Sequence, residues 1–387
     1  MKRSIAGVAL GLMLQPLIAL AISEPSAQTF TLDNGLNVIV LEDHRAAVVH
    51  SQLWYRVGSS YEPPGQTGLS HALEHMIFKG SSKLCPGEAD HVFQGLGASS
   101  NAATQRDATI FFQTLPPNAL GVAFEIMADQ MNTAHLSAMY WEGEREVIKS
   151  ERSESIDNSP SQLALERVLS VAYPASASGN PVIGWMHDLD RMHVQELQDW
   201  YRRWYAPNNA TLIIVGDIDI NQVKALATRY FGPIARRDLP AVKRPIELPA
   251  AGERSITQYL NHQMPNLRMA FNVPSLTTQA NPRSTAALEL LSEVLGGGDS
   301  SMLKTRLWRG EELVINIDTH YSSISRGDEL FTIAATLNEE KTMALSDIKD
   351  RIWSEIESLK NSPLSVADLD RARTRIFAQH VFSRDGF

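Results

Sequence analysis

Apolar and polar residues alternate near the start of the chain, a pattern that is typical of half-buried β-strands. Residues 30–32 and 36–41 alternate on either side of Asp33-Asn34-Gly35, so they are predicted to form a β-hairpin. Further strands are predicted at 48–57, 109–115 and 210–215.

Between these strands, apolar residues recur every three or four positions, which predicts amphipathic helices. The helices are predicted at 68–79, 86–96, 118–132, 137–155, 161–173, 194–205 and 221–230. The first helix is expected to have Thr67 as its N-cap and Gly80 just after its end. Strands interleaved with helices, after an initial hairpin, favour an α+β fold in which each domain is an antiparallel sheet packed with helices.

A similar order of strands and helices returns after a stretch that is interrupted by prolines. Strands are predicted at 267–273, 313–321 and 330–337, with helices between the first two and after the last. The chain is therefore expected to contain a signal peptide at 1–21, one domain at 28–235, a linker at 236–255 and a second, related domain at 256–387. The second domain is expected to be incomplete, because no strand and helix like those of 210–230 follow its last helical run.

The first residues have the features of a targeting segment. Lys2 and Arg3 precede an apolar run from Ile5 to Leu20, and Ala19-Leu20-Ala21 fits a signal-peptidase site. We expect export, with a bacterial periplasmic location; retention of the segment as a membrane anchor is the alternative. No other segment is long and apolar enough to predict a membrane span in the mature chain.

Composition and charge narrow the expected class of protein and partner. With 43% hydrophobic and 20% charged residues, the chain has the composition of an ordinary globular protein. The net charge is −9, and removal of Lys2 and Arg3 with the signal peptide takes it to −11, which argues against nucleic acid as a partner. Cys85 is the single cysteine, so we expect no internal disulfide.

The stretch with the clearest chemistry is His71-Ala72-Leu73-Glu74-His75. It reads H-x-x-E-H, the inverted form of the H-E-x-x-H zinc-protease motif. His71 and His75 are one helical turn apart, so both imidazoles can take corners of a Zn²⁺ tetrahedron. Glu74 lies beside them and is placed to act on water. A chance match is the alternative, but such groups at the edge of a buried helix are costly unless they are paired or bound to metal.

A zinc site that keeps one position open for water needs a third protein ligand. Glu144 and Glu151 lie in the acidic stretch 142–151 and are seven residues apart, so a helix presents both on one face. Glu142 and Glu146 are predicted to point elsewhere. A solvated acidic helix face is the alternative that this spacing leaves open.

Residues 58–80, GSSYEPPGQTGLSHALEHMIFKG, resemble the signature of the pitrilysin-type zinc metallopeptidases, the inverzincin family with the H-x-x-E-H motif. The resemblance covers about residues 28–380 and is strongest in the first half. Within that family, the chain resembles the zinc-bearing subunit of bacterial two-subunit members and the beta subunit of the mitochondrial processing peptidase. The matching stretches also include 100–104, 144–151, 204–210, 215–217 and 230–232.

The resemblance implies a zinc-dependent endopeptidase that cleaves extended or unfolded peptides and holds one Zn²⁺ per chain. In such an enzyme an edge strand pairs with the substrate through backbone hydrogen bonds. The implied site residues are His71, His75 and Glu151 as zinc ligands, Glu74 as the general base on zinc-bound water, Glu144 as an auxiliary acidic residue, and Asn101 and Ala102 in the substrate-pairing strand.

One feature of active single-chain family members is missing from this sequence. Those members carry an Arg and a Tyr seven residues apart in a later domain, and the corresponding positions here are Trp308 and Ile315, with Arg306 and Arg309 out of phase. The resemblance therefore implies a heterodimer with a related, zinc-less subunit that supplies the Arg/Tyr pair. The alternatives are a homodimer, or a misalignment of residues 306–315 with the family. Two other functions stay open: a non-catalytic assembly subunit of the same family, and a zinc hydrolase that acts on small molecules.

Overall fold

The computed structural model describes residues 26–249, 252–261, 264–341, 343–362 and 364–383. The predicted signal peptide at 1–21 lies outside the described residues. Within them the chain forms two β-sheets, each covered by helices, and the predicted α+β fold is confirmed.

The first half of the chain, described here as residues 26–235, contains a six-stranded sheet and eight α-helices. The strands are β1 (Gln28–Thr31), β2 (Asn37–Glu42), β3 (Val49–Tyr55), β4 (Ser99–Thr104), β5 (Thr109–Leu115) and β6 (Ala210–Gly216). The helices are α1 (Leu69–Ile77), α2 (Glu88–Gly95), α3 (Leu120–Thr133), α4 (Ala138–Arg152), α5 (Pro160–Ala172), α6 (Met186–Arg191), α7 (Val194–Trp204) and α8 (Ile220–Tyr230). The strand order is β1-β2-β6-β3-β5-β4, so β4 lies at one edge.

One strand pair departs from the antiparallel arrangement expected from the sequence. Strand β6 enters the sheet between β2 and β3, and it runs parallel to β2 but antiparallel to β3. Because β2 and β3 point in opposite directions, a strand placed between them must run parallel to one of the two. All other pairs in this sheet are antiparallel.

The core of the first half follows from the alternation along its strands. Along β3, buried and half-buried residues alternate. The buried ones are Val49, Ser51, Leu53 and Tyr55, and the three residues between them are half-buried. Leu73 and Met76 of α1 belong to the same apolar cluster and are fully buried. Complete burial of one such side chain contributes roughly 1.5–3 kcal/mol, so packing fixes α1 firmly against the sheet.

The second half contains a smaller sheet with its own apolar core. Its strands are β7 (Asn266–Val273), β8 (Val314–His320) and β9 (Glu329–Leu337), and its α-helices are α9 (Ser284–Ser292), α10 (Leu345–Asn361) and α11 (Val366–Phe382). The order is β7-β9-β8, and both pairs are antiparallel. The helix expected just before β8 is a short π-helical turn, Lys304–Trp308, rather than an α-helix.

Residues 235–249 and 252–261, which include most of the predicted linker at 236–255, form no helix or strand. This segment is nevertheless attached to the first half, since Glu247 accepts hydrogen bonds from the backbone N–H groups of Ala175 and Ser176. The boundaries of the two domains and of the linker remain a prediction. No helix in the described part of the chain has both the length and the apolar character needed to cross a membrane.

Candidate metal centre and active-site cleft

Helix α1, which carries the H-x-x-E-H motif, begins differently from the prediction. Its N-cap is Gly68, with φ of 88°, and no side chain caps it locally. The expected cap, Thr67, is wrong because its hydroxyl donates to Asp188 at 2.6 Å. The role of the cap is taken by the buried carboxylate of Glu62, which accepts the N–H groups of Gly68 at 2.8 Å and Ser70 at 2.7 Å.

The structure brings His71, His75 and Glu151 together. The two imidazole rings of α1 are 4.6 Å apart, and Glu151 approaches from the last turn of α4. Its oxygens lie 3.7 Å from Nε2 of His71 and 3.3 Å from Nε2 of His75. One ligand atom from each residue falls within 4.8 Å of the others, and in the described part of the chain this is the one group of three or more His, Cys, Asp or Glu residues with such a spacing.

The two histidines have different electrostatic environments. Burial, together with the neighbouring His75, lowers the pKa of His71 to about 3, so His71 is neutral at physiological pH. Burial also opposes protonation of His75, but its hydrogen bond with Glu144 and the charge of Glu151 outweigh burial and raise its pKa. Nδ1 of His71 is buried and has no hydrogen-bond partner among the described residues.

Glu144 lies behind His75, and its side chain is buried. Its Oε1 is 2.8 Å from Nδ1 of His75, and its Oε2 is 2.5 Å from Nζ of Lys79. Burial works against ionisation of Glu144, but these two hydrogen bonds prevail and lower its pKa. A carboxylate in this position fixes the orientation of an imidazole whose other nitrogen faces a metal.

Helix α4 presents its acidic residues as their spacing predicts. Ser137 caps the helix by accepting the N–H of Tyr140, and the helix then runs without interruption to Arg152. Glu144 and Glu151 face α1, whereas Glu142 and Glu146 are mostly exposed and pair with Arg145. The acidic residues of this stretch therefore lie on two faces of α4, as their spacing predicts.

Glu74, the third member of the motif, projects into the same cleft. Its Oε2 accepts a hydrogen bond of 2.5 Å from the hydroxyl of Thr104, the last residue of β4. Burial raises the pKa of Glu74, against the lowering effect of the Thr104 hydrogen bond. The sequence analysis did not predict this role for Thr104. The one indication in the sequence was that Thr104 is the last residue of the matched stretch 100–104.

A buried ion pair behind Glu151 was also missed. Arg152 donates two hydrogen bonds to Glu166 of α5, at 2.8 and 3.2 Å, and both side chains are almost fully buried. The same guanidinium donates to the carbonyl of Gly184 at 2.8 Å. Because Arg152 directly follows Glu151, these bonds fix the end of α4 that carries the proposed third ligand.

The cleft in front of these residues has a volume of about 680 Å³. One wall is the edge strand β4, where Asn101 and Ala102 lie, and another is α5 with Leu165 and Leu169. Strand β4 pairs with β5 on one side only, so it is an edge strand of the described sheet, and the backbone N–H of Ala102 donates to Oδ1 of Asn101 at 2.9 Å. The structure thus places Asn101 and Ala102 on an edge strand beside the histidines, as expected.

The positions expected to correspond to the family's Arg and Tyr are both partly exposed. Trp308 ends the π-helical turn before β8, and Ile315 lies within β8. Arg306 pairs with Glu355, and Arg309 donates to the carbonyl of Asp299 and the hydroxyl of Thr305. Both arginines are therefore engaged within the second half.

The donor set fits a zinc ion. Two imidazoles and one carboxylate are a known combination for a catalytic zinc site that keeps a fourth position open. The buried, neutral imidazole of His71 and the anchoring of His75 by Glu144 are the features that ligation by histidine requires.

Two family profiles match the chain in sequence. Residues 37–184 match insulinase (peptidase family M16), and residues 191–376 match the peptidase M16 inactive domain. Together the two matches take in most of both halves.

Individual relatives agree with these profiles. The zinc protease PqqE of Helicobacter pylori is 27% identical over 353 residues, which is 90% of this chain and 78% of the relative. The probable mitochondrial-processing peptidase subunit beta of Arabidopsis thaliana is 23% identical over 377 residues, 94% of this chain and 69% of the relative. The crystal structure of a protease from Helicobacter pylori superposes with a TM-score of 0.85 at 26% identity, covering 94% of this chain and 86% of that one.

Proposed function

This chain belongs to peptidase family M16, and on that premise we propose that it is a zinc-dependent endopeptidase that cleaves extended or unfolded peptides. The observation that carries the proposal is the convergence of His71, His75 and Glu151 at one side of a cleft into which Glu74 also projects. The relatives named as zinc proteases support the same class of reaction.

In this proposal His71, His75 and Glu151 hold the ion. A bound Zn²⁺ supplies a Lewis acid that polarises the scissile carbonyl and lowers the pKa of water towards neutrality. Glu144 keeps the ring of His75 oriented through its hydrogen bond to Nδ1, while Lys79 compensates the charge of Glu144. Arg152 holds the end of α4, so that Glu151 stays in reach of both imidazoles.

Glu74 is the proposed general base. The Thr104 hydroxyl bonds to Oε2, which leaves Oε1 to accept the proton of the attacking water. The same carboxyl group then delivers that proton to the amine that leaves. Burial of Glu74 supports this role, because a carboxylate that is poorly solvated is a stronger base.

Strand β4 is the proposed recognition element for the peptide. An extended peptide that adds to the free edge at Asn101 and Ala102 forms backbone hydrogen bonds that do not depend on its sequence. The wall formed by α5, which includes Leu165 and Leu169, then accommodates side chains that point away from the strand.

A homologous, zinc-less partner subunit is proposed to complete the active site. This rests on Trp308 and Ile315, which stand where the family resemblance expects Arg and Tyr, and on the engagement of Arg306 with Glu355. The plant relative is itself named as a subunit. Export to the periplasm is proposed from the signal-like residues 1–21 alone.

The test of this function is Glu74→Gln measured beside the unaltered chain and the exposed control Glu142→Gln. We expect zinc content to be unchanged in all three, and cleavage of a fluorescence-quenched peptide to fall about 10²- to 10⁴-fold in Glu74→Gln only. Each protein is assayed alone and with a homologue that carries the Arg/Tyr pair. Full activity of Glu74→Gln contradicts the mechanism, and zinc binding without cleavage in every combination favours a non-catalytic assembly subunit instead.

A further inference from the structure

The turn that connects β4 to β5, residues 105–108, is contacted by both halves of the chain. Within the first half, the backbone N–H groups of Ser59 and Ser60 donate to the carbonyls of Gln105 and Arg106 at 3.2 and 2.8 Å. The second half adds side-chain and backbone contacts. Nη1 of Arg106 lies 3.3 Å from Oε1 of Glu329, and Oδ2 of Asp107 accepts the backbone N–H of Arg326 at 2.9 Å. Glu329 is the first residue of β9, and Arg326 precedes it by one short loop. One segment of the second half therefore contacts the turn at two points.

Glu329 also joins this turn to the opposite wall of the cleft. The hydroxyl of Tyr173, at the end of α5, donates to the same Oε1 at 3.0 Å, and the guanidinium of Arg106 lies over the Tyr173 ring at 5.7 Å. Leu330 packs beside Tyr173 in a small apolar cluster that includes Leu169. Since Leu169 lines the cleft, this cluster sets the position of the α5 wall.

Arg326 extends the contact to the segment that leads into α1. Its guanidinium lies 3.5 Å from the centre of the Tyr61 ring and donates to the hydroxyl of Ser60 at 2.9 Å. Ser60 in turn donates to Asp107 at 2.5 Å. The contacts from Arg326 to Glu329 thus reach three parts of the first half: the β4–β5 turn, the end of α5 and the segment before α1.

The turn has a direct effect on β4. Thr104, which donates to Glu74, is the residue just before the turn, and β4 is paired with β5 alone. A strand with one neighbour depends on its ends for its position more than a strand with two. The turn that Glu329 contacts is therefore attached to one end of β4, the strand that borders the metal centre.

We propose that Glu329 is a positioning residue for the peptide-binding strand β4. From the second half it fixes the β4–β5 turn against the end of α5, and in this way it sets the spacing between the two walls of the cleft. Its effect on peptide binding rests on the proposed endopeptidase function, whereas its effect on β4 does not. A residue within the stretch 191–376, which matches an inactive peptidase domain, would then shape the active-site cleft of its own chain.

Hydrogen–deuterium exchange measures the strand directly, without any need for activity. In Glu329→Gln, amides of residues 99–108 are expected to exchange about fivefold faster, because the net loss of one typical hydrogen bond, about 1 kcal/mol, changes a local equilibrium by roughly that factor. The matched control is Glu253→Gln, which removes a mostly exposed carboxylate that pairs with Lys349 of α10. No change in 99–108 is expected there.

Kinetics of the zinc-loaded protein with its partner give the second measurement. For a long quenched peptide, KM is expected to rise about fivefold in Glu329→Gln while kcat changes less than about twofold, because the metal ligands and Glu74 are untouched. The effect should be smaller for a short peptide that spans fewer residues of β4. Arg106→Gln should give the same change, and the double variant should add little to either single change.

The outcomes separate the two proposals. Equal exchange of 99–108 in Glu329→Gln and Glu253→Gln overturns the positioning role, and so does faster exchange spread over the whole chain with a matching loss of stability. Arg326→Ala provides a second route, since it removes the Ser60 and Tyr61 contacts and should also speed exchange in 99–108. An unaltered chain that binds no zinc and cleaves no peptide contradicts the proposed function, yet the exchange comparison still decides the role of Glu329.

Discussion

The two halves of the molecule have related folds, but they compensate buried charge in different ways. In the second half, the buried carboxylates of Glu355 and Glu293 are each matched by arginine: Glu355 by Arg306 and Arg351, and Glu293 by Arg375. The first half also has cation-matched carboxylates, Glu166 with Arg152 and Glu144 with Lys79, but there Glu62 is held by backbone N–H groups and Glu74 by a hydroxyl.

This difference identifies the buried groups that are not stabilised by a fixed opposite charge. A buried ionisable group that is not matched by a fixed opposite charge is costly, so its place in the fold calls for another source of stabilisation. A metal ion and a substrate would provide it at His71 and Glu74. Among the described residues, the second half offers no comparable group of metal-ligating side chains.

Removal of Glu151 should give the largest effect and is the most direct attempt to break this comparison. Glu151→Ala is expected to lose bound zinc and to lower kcat/KM by about 10³-fold or more, because the remaining donor set is two imidazoles. Zinc content and peptide cleavage are measured together. The control Glu146→Ala removes an exposed carboxylate from the same helix, and it should leave both unchanged. A zinc-replete, active Glu151→Ala would show that this carboxylate is only part of an acidic surface.

Loss of Arg152 comes next and tests a buried pair of the first half against a surface pair of the second. Arg152→Met leaves Glu166 buried without its partner, which should cost about 3–5 kcal/mol of unfolding free energy. Lys360→Met disrupts the exposed pair with Glu357 and should cost about 0–1 kcal/mol. Urea unfolding at fixed zinc concentration measures both. Equal losses would mean that Arg152 is not a structural support of the metal site.

Glu144→Gln should have an intermediate effect, because it keeps the size of the side chain but weakens the support of His75. Loss of a carboxylate that orients a metal-bound histidine typically lowers metal affinity or activity about 10- to 100-fold. Competition with a zinc chelator gives the affinity. Glu142→Gln, on the exposed face of the same helix, serves as the control. A variant with unchanged affinity and activity would limit Glu144 to its contact with Lys79.

Periodicity along the chain predicted a large part of this site. The helical spacing placed Glu144 and Glu151 on one face, and the motif helix and edge strand lie where the sequence and its resemblance indicated. These features are repeats along one element, and such repeats are visible in a sequence.

The remaining contacts join elements that are far apart in the chain. Thr104 reaches Glu74, and Arg152 reaches the carbonyl of Gly184, only because the fold brings different elements together. The cap of α1 was mispredicted for the same reason: Asp188 binds Thr67 from a helix that the sequence pattern did not predict. The local preference of threonine for N-cap positions predicted Thr67 as the cap, whereas tertiary contacts of Glu62 provide it.

The smallest expected effect concerns pH and the cap of α1. Burial raises the pKa of Glu62 to about 7 from its ordinary value of 4.5, against the lowering effect of the hydrogen bonds from Ser70 and Gly68, and nearby Asp188 raises it further. Because the folded state holds this proton more tightly than the unfolded state, the contribution of Glu62 to stability is fully present below about pH 4.5 and is lost as pH rises through about 7.

Glu62→Gln should therefore remove a downward slope in unfolding free energy between about pH 5 and pH 7, an effect on the order of 1–3 kcal/mol. Urea unfolding of both proteins across this range measures it. The corresponding buried carboxylate of the second half, Glu355, is matched by two arginines rather than by backbone N–H groups. Identical pH profiles for Glu62→Gln and the unaltered chain would show that the backbone N–H groups at the start of α1 stabilise the ionised carboxylate as well as a cation would.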